Sequence, residues 1–340
     1  MLVGLLVAVG LIYGGSGSTA ERVFILFAIN LVIAVGLQSF MGLTGIVSFG
    51  HVAFMAIAAY TAGILTSSPL IKESSIADAP AFLRHAELGF LPGTVVAVIF
   101  TCVIAAIVGL AIVRLSGTAA TISTYALLVI VGVAIVNLPT LTRGNQTFYG
   151  IPGSTTLAAA IAFAVAAVVV ARLFQDSRWG LLLKASREDQ LSAAGSGVDV
   201  RRVRFGAWVL SIAIVAAGGS LYAHYVGAIS PAAFSLQLTF VIVTMVIIGG
   251  RGVSGAMAGA VIVSVINEIM RQFDGQISFG PIETEFASIT PLILGAIVIA
   301  IMVRRPSGLL GDREIDDLIV PFTAKIGRRF WLAEDSKTEG

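Results

Sequence analysis

The sequence predicts an all-α, polytopic transmembrane protein with about ten helices, and three observations support this fold class. Hydrophobic residues make up 57% of the 340 residues, and the mean hydropathy is +0.98. Charged residues make up 12%, about half the share in a typical soluble domain. Apolar runs of roughly 17 to 22 residues recur, which is the length that a helix needs to cross the hydrocarbon core of a membrane. The strict alternation of a membrane β-barrel is absent, so helices are the predicted spanning elements.

The order of the apolar runs gives a self-consistent topology around a polar segment, Lys184–Arg204, in the middle of the chain. The runs before it are Met1–Tyr13, Val23–Phe40, Val52–Thr66, Gly93–Val113, Thr118–Asn137 and Thr156–Leu173. The runs after it are Phe205–Val226, Leu236–Ile248, Ser254–Met270 and Phe286–Val303. Because arginine and lysine concentrate on the cytoplasmic side, the polar segment and both chain ends are expected in the cytoplasm. Several runs are short, so eight full crossings plus re-entrant pieces is the alternative count.

The connecting loop and the chain ends fit this topology. The loop Ser67–Leu91 falls outside and carries fewer cations than the polar segment. Residues 1–20 resemble a signal peptide but lack its positive n-region, so the first run is interpreted as a spanning helix. Residues 1–306 are then predicted to form a transmembrane domain. Residues 307–340 are too polar to span and are expected to form a cytoplasmic tail.

The polar segment is predicted to contain a short helix within a cytosolic loop, residues 176–204. Ser186 is the candidate N-cap of this helix, and Glu188 lies in its first turn, where a negative charge is favourable. Gly195 or Gly197 would end the helix. The next helix has a candidate cap and a basic first turn, formed by Asp199, Arg201, Arg202 and Arg204.

Two glycine-rich stretches interrupt the apolar runs. Gly42–His51 (GLTGIVSFGH) contains three glycines and two hydroxyl side chains, and Gly249–Gly255 (GGRGVSG) is the second stretch. Non-helical backbone at membrane depth is tolerated only where it is buried in protein or lines a wet cavity, so broken helices here predict a substrate path. A tight turn between closely packed helices is the alternative for both stretches. The candidate path residues are Gly45, Ser48, Gly50 and His51.

Few side chains in the apolar runs carry chemistry. His51 and His224 are not spaced with other ligands as a metal site requires, so a hydrogen-bonding core role is favoured for each. The glycine-rich surroundings still make His51 a functional candidate. Cys102 stands alone in an apolar run and is interpreted as a buried thiol. Apart from Arg251 and Glu268 the spans are almost free of charge, which disfavours a proton relay.

Motifs for catalysis and nucleotide binding are absent from the sequence. There is no G-x-x-x-x-G-K-[ST] loop for ATP, and neither G-x-S-x-G nor H-E-x-x-H occurs. A membrane enzyme is therefore disfavoured, and neither a metal nor a cofactor is expected in this chain. A pump of this kind would take its energy from another subunit.

Three separated stretches resemble the permease subunits of branched-chain amino-acid ABC transporters. They are GLTGIVSFGHVAFMAIAAYTAGIL (Gly42–Leu65), the segment Ser186–Ile262, and RRPSGLLG (Arg304–Gly311). They occur in the order found in that family, and the resemblance covers most of the chain. The resemblance implies a non-catalytic permease of the bacterial inner membrane that translocates branched-chain or related amino acids. A stand-alone secondary transporter or channel for a small neutral solute such as urea is the alternative.

The resemblance also implies how such a permease is driven. A short cytosolic helix would dock in a groove of the ATP-binding subunit, and the matching motif here is E-D-x-x-x-A-A-x-x-G. The coupling residues implied by the resemblance are Glu188, Asp189, Ala193, Ala194 and Gly197. The implied partners are two ATP-binding subunits that hold ATP and magnesium, a second and paralogous permease chain, and an extracytoplasmic solute-binding protein.

Overall fold

The structure is a computed structural model that describes residues 19–273, 290–305 and 308–311. Within these residues, the first eight helices are α1 (Thr19–Thr44), α2 (His51–Thr66), α3 (Pro69–Ser75), α4 (Ala81–His85), α5 (Phe90–Ile112), α6 (Gly117–Val136), α7 (Pro139–Thr142) and α8 (Leu157–Asp176). The others are α9 (Arg178–Glu188), α10 (Gln190–Gly195), α11 (Val200–Val226), α12 (Leu236–Gly249), α13 (Val253–Phe273) and α14 (Thr290–Arg304). Two short strands, β1 (Phe148–Tyr149) and β2 (Ala228–Ile229), pair antiparallel, and a 3-10 helix, Pro231–Phe234, follows β2.

Seven of the described helices are long and apolar enough to cross a membrane. They are α1, α5, α6, α8, α11, α13, and α12 together with the 3-10 helix before it. The pair α2 and α3 would count as an eighth span, but the two helices are bent by 119° at the break between them. The predicted polytopic all-α class is confirmed, and the predicted number of about ten helices is approximate. The first predicted run, Met1–Tyr13, lies outside the described residues, and the last corresponds to α14.

Helix α11 runs through the middle of the bundle and fixes the directions of its neighbours. Contacts along its length show that α5 and α1 are antiparallel to it, whereas α2 runs parallel to it. The contacts that define these directions are Trp208–Ala105 and Ser220–Thr94 for α5, Tyr225–Arg22 and Val215–Gly36 for α1, and Ser211–His51 and His224–Thr66 for α2. The helices α1, α2 and α5 therefore alternate in direction, as the predicted topology requires.

Burial differs between helices in the way expected of a membrane bundle. Helix α1 is enclosed around most of its circumference, which is typical of a uniformly apolar helix in the interior of a bundle. Helix α5 buries a ridge of small residues formed by Gly93, Thr94, Ala97, Thr101, Ala105 and Gly109. Such a ridge lets neighbouring helices approach closely. Its other faces expose large apolar side chains such as Ile99 and Ile107, and this is the surface expected to contact lipid.

One end of the bundle is more basic than the other. The end that carries α9 and α10, here called the basic end, also holds the α12–α13 turn, because Val253 N donates to Gln175 Oε1 at 3.2 Å. The described cationic residues at this end are Arg114, Arg172, Arg178, Lys184, Arg187, Arg201, Arg202, Arg204, Arg251, Arg304 and Arg305. Those described at the opposite end are Arg22, Lys72, Arg84, Arg143 and Arg271. The polar segment and the Ser67–Leu91 loop thus lie at opposite ends, as predicted.

The predicted tail, residues 307–340, falls largely outside the described residues. Its described part, residues 308–311, lies against the turn between α12 and α13.

Candidate functional site

The first glycine-rich stretch is a helix break with an extended return. Helix α1 ends at Thr44, residues 45–50 are non-helical, and α2 begins at His51. His51, at the end of the break, is level with Ser211 of α11. Ser211 lies eleven residues after the start of α11 at the basic end, so the break reaches about 16 Å into the bundle from that end. Non-helical backbone is therefore placed well inside the bundle, where each polar backbone group needs a partner.

The side chains of α6 satisfy part of this exposed backbone. Phe49 N donates to Thr124 Oγ1 at 3.2 Å, and Thr121 Oγ1 donates to Val47 O at 3.0 Å. Closer to α1, Ile46 N donates to Thr44 Oγ1 at 3.2 Å. The hydroxyls of the sequence Thr121-Ile-Ser-Thr124 thus take over hydrogen bonds that a continuous helix would have made. Nothing in the local pattern of α6 indicated this role.

His51 ties the end of the break to α11. Its Nε2 lies 3.0 Å from Ser211 Oγ and its Nδ1 lies 2.8 Å from Ser48 Oγ. Since Ser211 Oγ donates its proton to Trp208 O at 2.8 Å, it accepts from His51, which places the ring proton on Nε2. The ring is 2% exposed and packs against Phe40 and Trp208. Both ring nitrogens are used within the protein, which is the geometry of a hydrogen-bonded core histidine.

Three of the four candidate path residues, Ser48, Gly50 and His51, are enclosed in this conformation, whereas Gly45 is exposed. Ser48 and His51 bond to each other, and Gly50 packs against the backbone of Thr124. Gly45 has a positive φ of 72° and faces the side chain of Arg187. The structure brings these residues together on one segment, and their role in a substrate path stays a prediction.

The second glycine-rich stretch is a tight turn between two closely packed helices. A Cβ at Gly249 would overlap Gly255 O, and a Cβ at Gly259 would overlap Met245 O, so α12 and α13 approach each other backbone to backbone. The turn itself is short, since α12 ends at Gly249 and α13 begins at Val253. Of the two interpretations made from the sequence, close helix packing describes this stretch.

Residues from the carboxyl-terminal part of the chain pair with this turn. Leu309 N donates to Ile248 O at 2.9 Å, and Leu310 N donates to Gly249 O at 3.1 Å. In return, Arg251 N donates to Gly311 O at 3.0 Å. The RRPSGLLG stretch is thus attached to the second break by backbone hydrogen bonds.

The two breaks meet at Gly42. A Cβ on Gly42 would lie 2.7 Å from Arg251 O and would overlap the amide of Gln38. Only a glycine allows the last turn of α1 to approach the α12–α13 turn this closely. The breaks are therefore neighbours at the basic end, a contact that no local sequence pattern predicts.

The short helix of the polar segment begins later than predicted. Ser186 is not its N-cap, because this residue lies inside α9, where its buried hydroxyl donates to Leu183 O at 2.9 Å. Glu188 is the last residue of α9 and not a first-turn residue of the short helix. Asp189 is the cap of α10, and its Oδ1 accepts from Leu191 N at 2.9 Å and Ser192 N at 3.0 Å. The acidic residue at the start of the short helix is therefore its cap, Asp189, and not the predicted first-turn residue Glu188.

Hydrogen bonds to Ser192 lower the pKa of the Asp189 carboxyl from its ordinary value. The Ser192 hydroxyl makes the largest contribution, at 2.6 Å from Asp189 Oδ2, and the backbone N–H of the same residue adds to it. Asp199 caps α11 as predicted, accepting from Arg202 N at 3.2 Å. Asp189 thus caps the start of α10, and Asp199 caps the start of the helix that follows it.

The predicted coupling residues surround one exposed helix. Glu188, Ala194 and Gly197 are exposed, whereas Ala193 is buried; Gly197 has a positive φ of 85° just after the helix. The side chain of Leu191 is 86% exposed, which sequence reasoning did not single out. The capped helix α10 therefore presents Leu191 to solvent at the basic end.

Arg187 connects this helix to the first break. Its Nη1 donates to Gly42 O at 2.8 Å, and its Nε and Nη2 donate to Glu188 Oε1 at 3.1 and 2.7 Å. The carbonyl of Gly42 belongs to the last turn of α1, where carbonyl groups lack helical partners and a cation is favourable. Arg187 therefore caps α1 from the polar segment. Its 145-residue separation from Gly42 explains why the sequence did not reveal it.

Among the residues that the structure describes, no group of three or more His, Cys, Asp or Glu side chains is arranged to hold a metal ion.

Comparison with known proteins identifies the family. The family described as branched-chain amino acid transport system, permease component, matches residues 19–302. The chain belongs to this permease family. The permease is 25% identical over 318 residues to the high-affinity branched-chain amino acid transport system permease protein LivM of Escherichia coli (strain K12), covering 83% of this chain and 68% of that protein.

Further relatives agree with this assignment. The LivM protein of Salmonella typhimurium is 24% identical over 317 residues, with the same coverage of 83% and 68%. A probable branched-chain amino acid transport permease protein LivH of Methanocaldococcus jannaschii is 27% identical over 139 residues, covering 41% of this permease and 42% of that protein. Together with the apolar helices, these relatives identify a multi-pass membrane protein of a transport system.

Proposed function

We propose that this permease is the membrane subunit of an ABC importer for branched-chain or related amino acids. Separate ATP-binding subunits hydrolyse ATP and bind the exposed α10 region. The permease itself carries out no chemistry. An extracytoplasmic binding protein delivers the solute, and a second, paralogous permease chain completes the pathway.

One geometric feature carries this proposal. Helix α10 is capped by Asp189, exposes Leu191, and adjoins Arg187, which binds the end of α1. A force applied to α10 would therefore reach the first helix break through a single side chain. A loop that merely joined α8 to α11 would not need this link.

The distribution of charge supports one orientation of the permease in the membrane. The basic end carries most of the described arginines, so it faces the cytoplasm by the positive-inside rule. The bacterial inner membrane is the expected location, and ATP-binding subunits act on its cytoplasmic side. Helices α3 and α4 at the opposite end then face the extracytoplasmic binding protein.

Reconstitution tests the function as a whole. The permease is assembled in liposomes with its genomic neighbours, and uptake of labelled leucine is measured with labelled urea as a control. The proposal expects leucine uptake that requires both ATP and the ATP-binding subunits. Uptake by the permease alone would contradict it and would support a stand-alone transporter or channel.

A charge reversal tests the docking helix. Glu188→Lys together with Asp189→Lys is expected to abolish binding-protein-stimulated ATPase activity while membrane insertion is retained, because it removes the α10 cap and reverses the local charge. The matched control, Glu188→Gln with Asp189→Asn, keeps a capping side chain at the start of α10 and reverses no charge, so stimulation should persist. Unchanged stimulation in the first variant would remove the coupling role of this segment.

A further inference from the structure

A buried amide without a partner lies beside both helix breaks. Gln38 on α1 is 1% exposed, and neither its Nε2 nor its Oε1 has a hydrogen-bond partner among the described residues. The other polar side chains nearby on α1 are satisfied locally, since Ser39 Oγ donates to Val35 O at 2.9 Å and Thr44 Oγ1 donates to Phe40 O at 2.7 Å. Burying an unpaired amide is unfavourable, so Gln38 is a destabilising choice in this position.

The surroundings of Gln38 place the amide at the junction of the two breaks. It lies over Gly42, one turn further along α1, and the missing side chain of that glycine leaves room for the Gln38 amide. Arg251 O of the α12–α13 turn lies on the same side of Gly42, 2.7 Å from where a Cβ on Gly42 would be, and Arg187 binds the carbonyl of Gly42 itself. Gln38 is thus one helical turn, about 6 Å along α1, from Gly42, whose carbonyl connects α1 to Arg187 of the polar segment.

The contrast with His51 indicates which polar group is free to bind a solute. His51 and Ser48 engage each other, and His51 also engages Ser211. A solute that used them would have to break these bonds. Gln38 offers one acceptor oxygen and two donor hydrogens without breaking any bond within the protein.

We propose that Gln38 binds the polar end of the transported solute when the two breaks separate at the basic end. This inference rests on the proposed function. An uncharged amide can accept from an α-ammonium group and donate to an α-carboxylate, so it matches a zwitterionic amino acid. Because it carries no charge, it binds weakly enough to release the solute, as transport requires.

The amide also explains the glycine at position 42. As the α12–α13 turn moves away from α1, the space over Gly42 opens beside Arg251 O, and the Gln38 amide becomes accessible to a solute that leaves through the basic end. The closed structure would be the state in which that turn covers the amide.

The test replaces the amide by a side chain of similar length without hydrogen-bonding groups. In the full complex, Gln38→Met is expected to lower leucine uptake about tenfold or more, the range for the loss of a hydrogen bond to a charged group. Stimulated ATPase activity is expected to persist, so the ATP hydrolysed per leucine transported rises. Heat resistance of the complex is expected to be unchanged or higher, because an unpaired buried amide has been removed.

A purely structural role predicts the opposite sign for stability. If Gln38 held the fold together, Gln38→Met would lower heat resistance and ATPase activity along with uptake, and the proposal would be wrong. Uptake at the wild-type rate would also overturn it. Ser39→Ala, the adjacent buried position, is the control and should change uptake little, since its hydroxyl only reinforces the helix of its own turn.

The proposed function and this inference fail in different ways. If the wild-type complex takes up no leucine with ATP, the importer proposal is wrong. If the wild type transports and Gln38→Met transports equally well, only the role of Gln38 is wrong.

Discussion

Replacing Arg187 by Met separates α9 and α10 from the first helix break while leaving most of the side-chain stem in place. The guanidinium group donates to Gly42 O at 2.8 Å, and the Arg187 side chain is 13% exposed, so this bond is partly shielded from water. Hydrogen bonds to charged groups contribute about 1.5 to 3 kcal/mol, and we take about 2 kcal/mol for this one. That value corresponds to a change of about 30-fold in the equilibrium between the attached and released states of the break.

Hydrogen exchange of the break measures this change directly. The amides of Gly45 and Ile46 bond to Met41 O and Thr44 Oγ1, so they exchange when the end of α1 opens. In Arg187→Met their protection should fall by about 30-fold, whereas amides in the middle of α11 should keep theirs. Transport per ATP hydrolysed should fall at the same time, because the proposed connection to α10 is lost.

The control removes the exposed partner of the same arginine. Glu188→Gln deletes the ion pair with Arg187, in which the glutamate side chain is 69% exposed. Such pairs contribute about 0 to 1 kcal/mol, so protection should change by no more than about fivefold. Equal protection of Gly45 and Ile46 in wild type and Arg187→Met would refute the idea that Arg187 holds the break.

Two further predictions follow from the hydrogen bonds described above. Ser211→Ala leaves the buried Nε2–H of His51 without an acceptor, which should cost about 1 to 3 kcal/mol of stability and lower the heat resistance of the purified permease. Ser211→Thr keeps a hydroxyl at this position and should restore the heat resistance. Equal heat resistance of Ser211→Ala and wild type would contradict the assigned bond. The pKa of Asp189 is lowered in the folded protein, so its capping contribution is present above its ordinary pKa of about 4 and is lost only as the pH falls through the lower folded value. Protection of the α10 amides should therefore be constant from pH 7 to about pH 5, and Asp189→Ala should weaken it throughout this range.

Features set by composition and local chemistry were predictable from the sequence. The apolar runs gave the spanning helices because a helix in lipid must be apolar over its whole length. Asp199 was recognised as a cap because a carboxylate before a basic helical turn is a local signal. The positions of both breaks followed from glycines that interrupt these runs.

Features that depend on contacts between distant segments were not predictable. The capping role of Asp189 was assigned to Ser186 because both residues suit a helix start, and only the packing of α9 decides between them. The Arg187–Gly42 bond and the unpaired state of Gln38 require the three-dimensional arrangement of α1, α9 and the α12–α13 turn. The sequence could show that the polar segment was special, but not which of its side chains reaches the membrane domain.

The attachment of residues 308–311 to the α12–α13 turn has a practical consequence. Since Leu309 and Leu310 bond to the carbonyls of Ile248 and Gly249, this part of the carboxyl-terminal stretch must follow that turn wherever it moves. A small fluorophore attached just after Gly311 would then ride on the turn and report its displacement during each cycle, without any label inside the bundle.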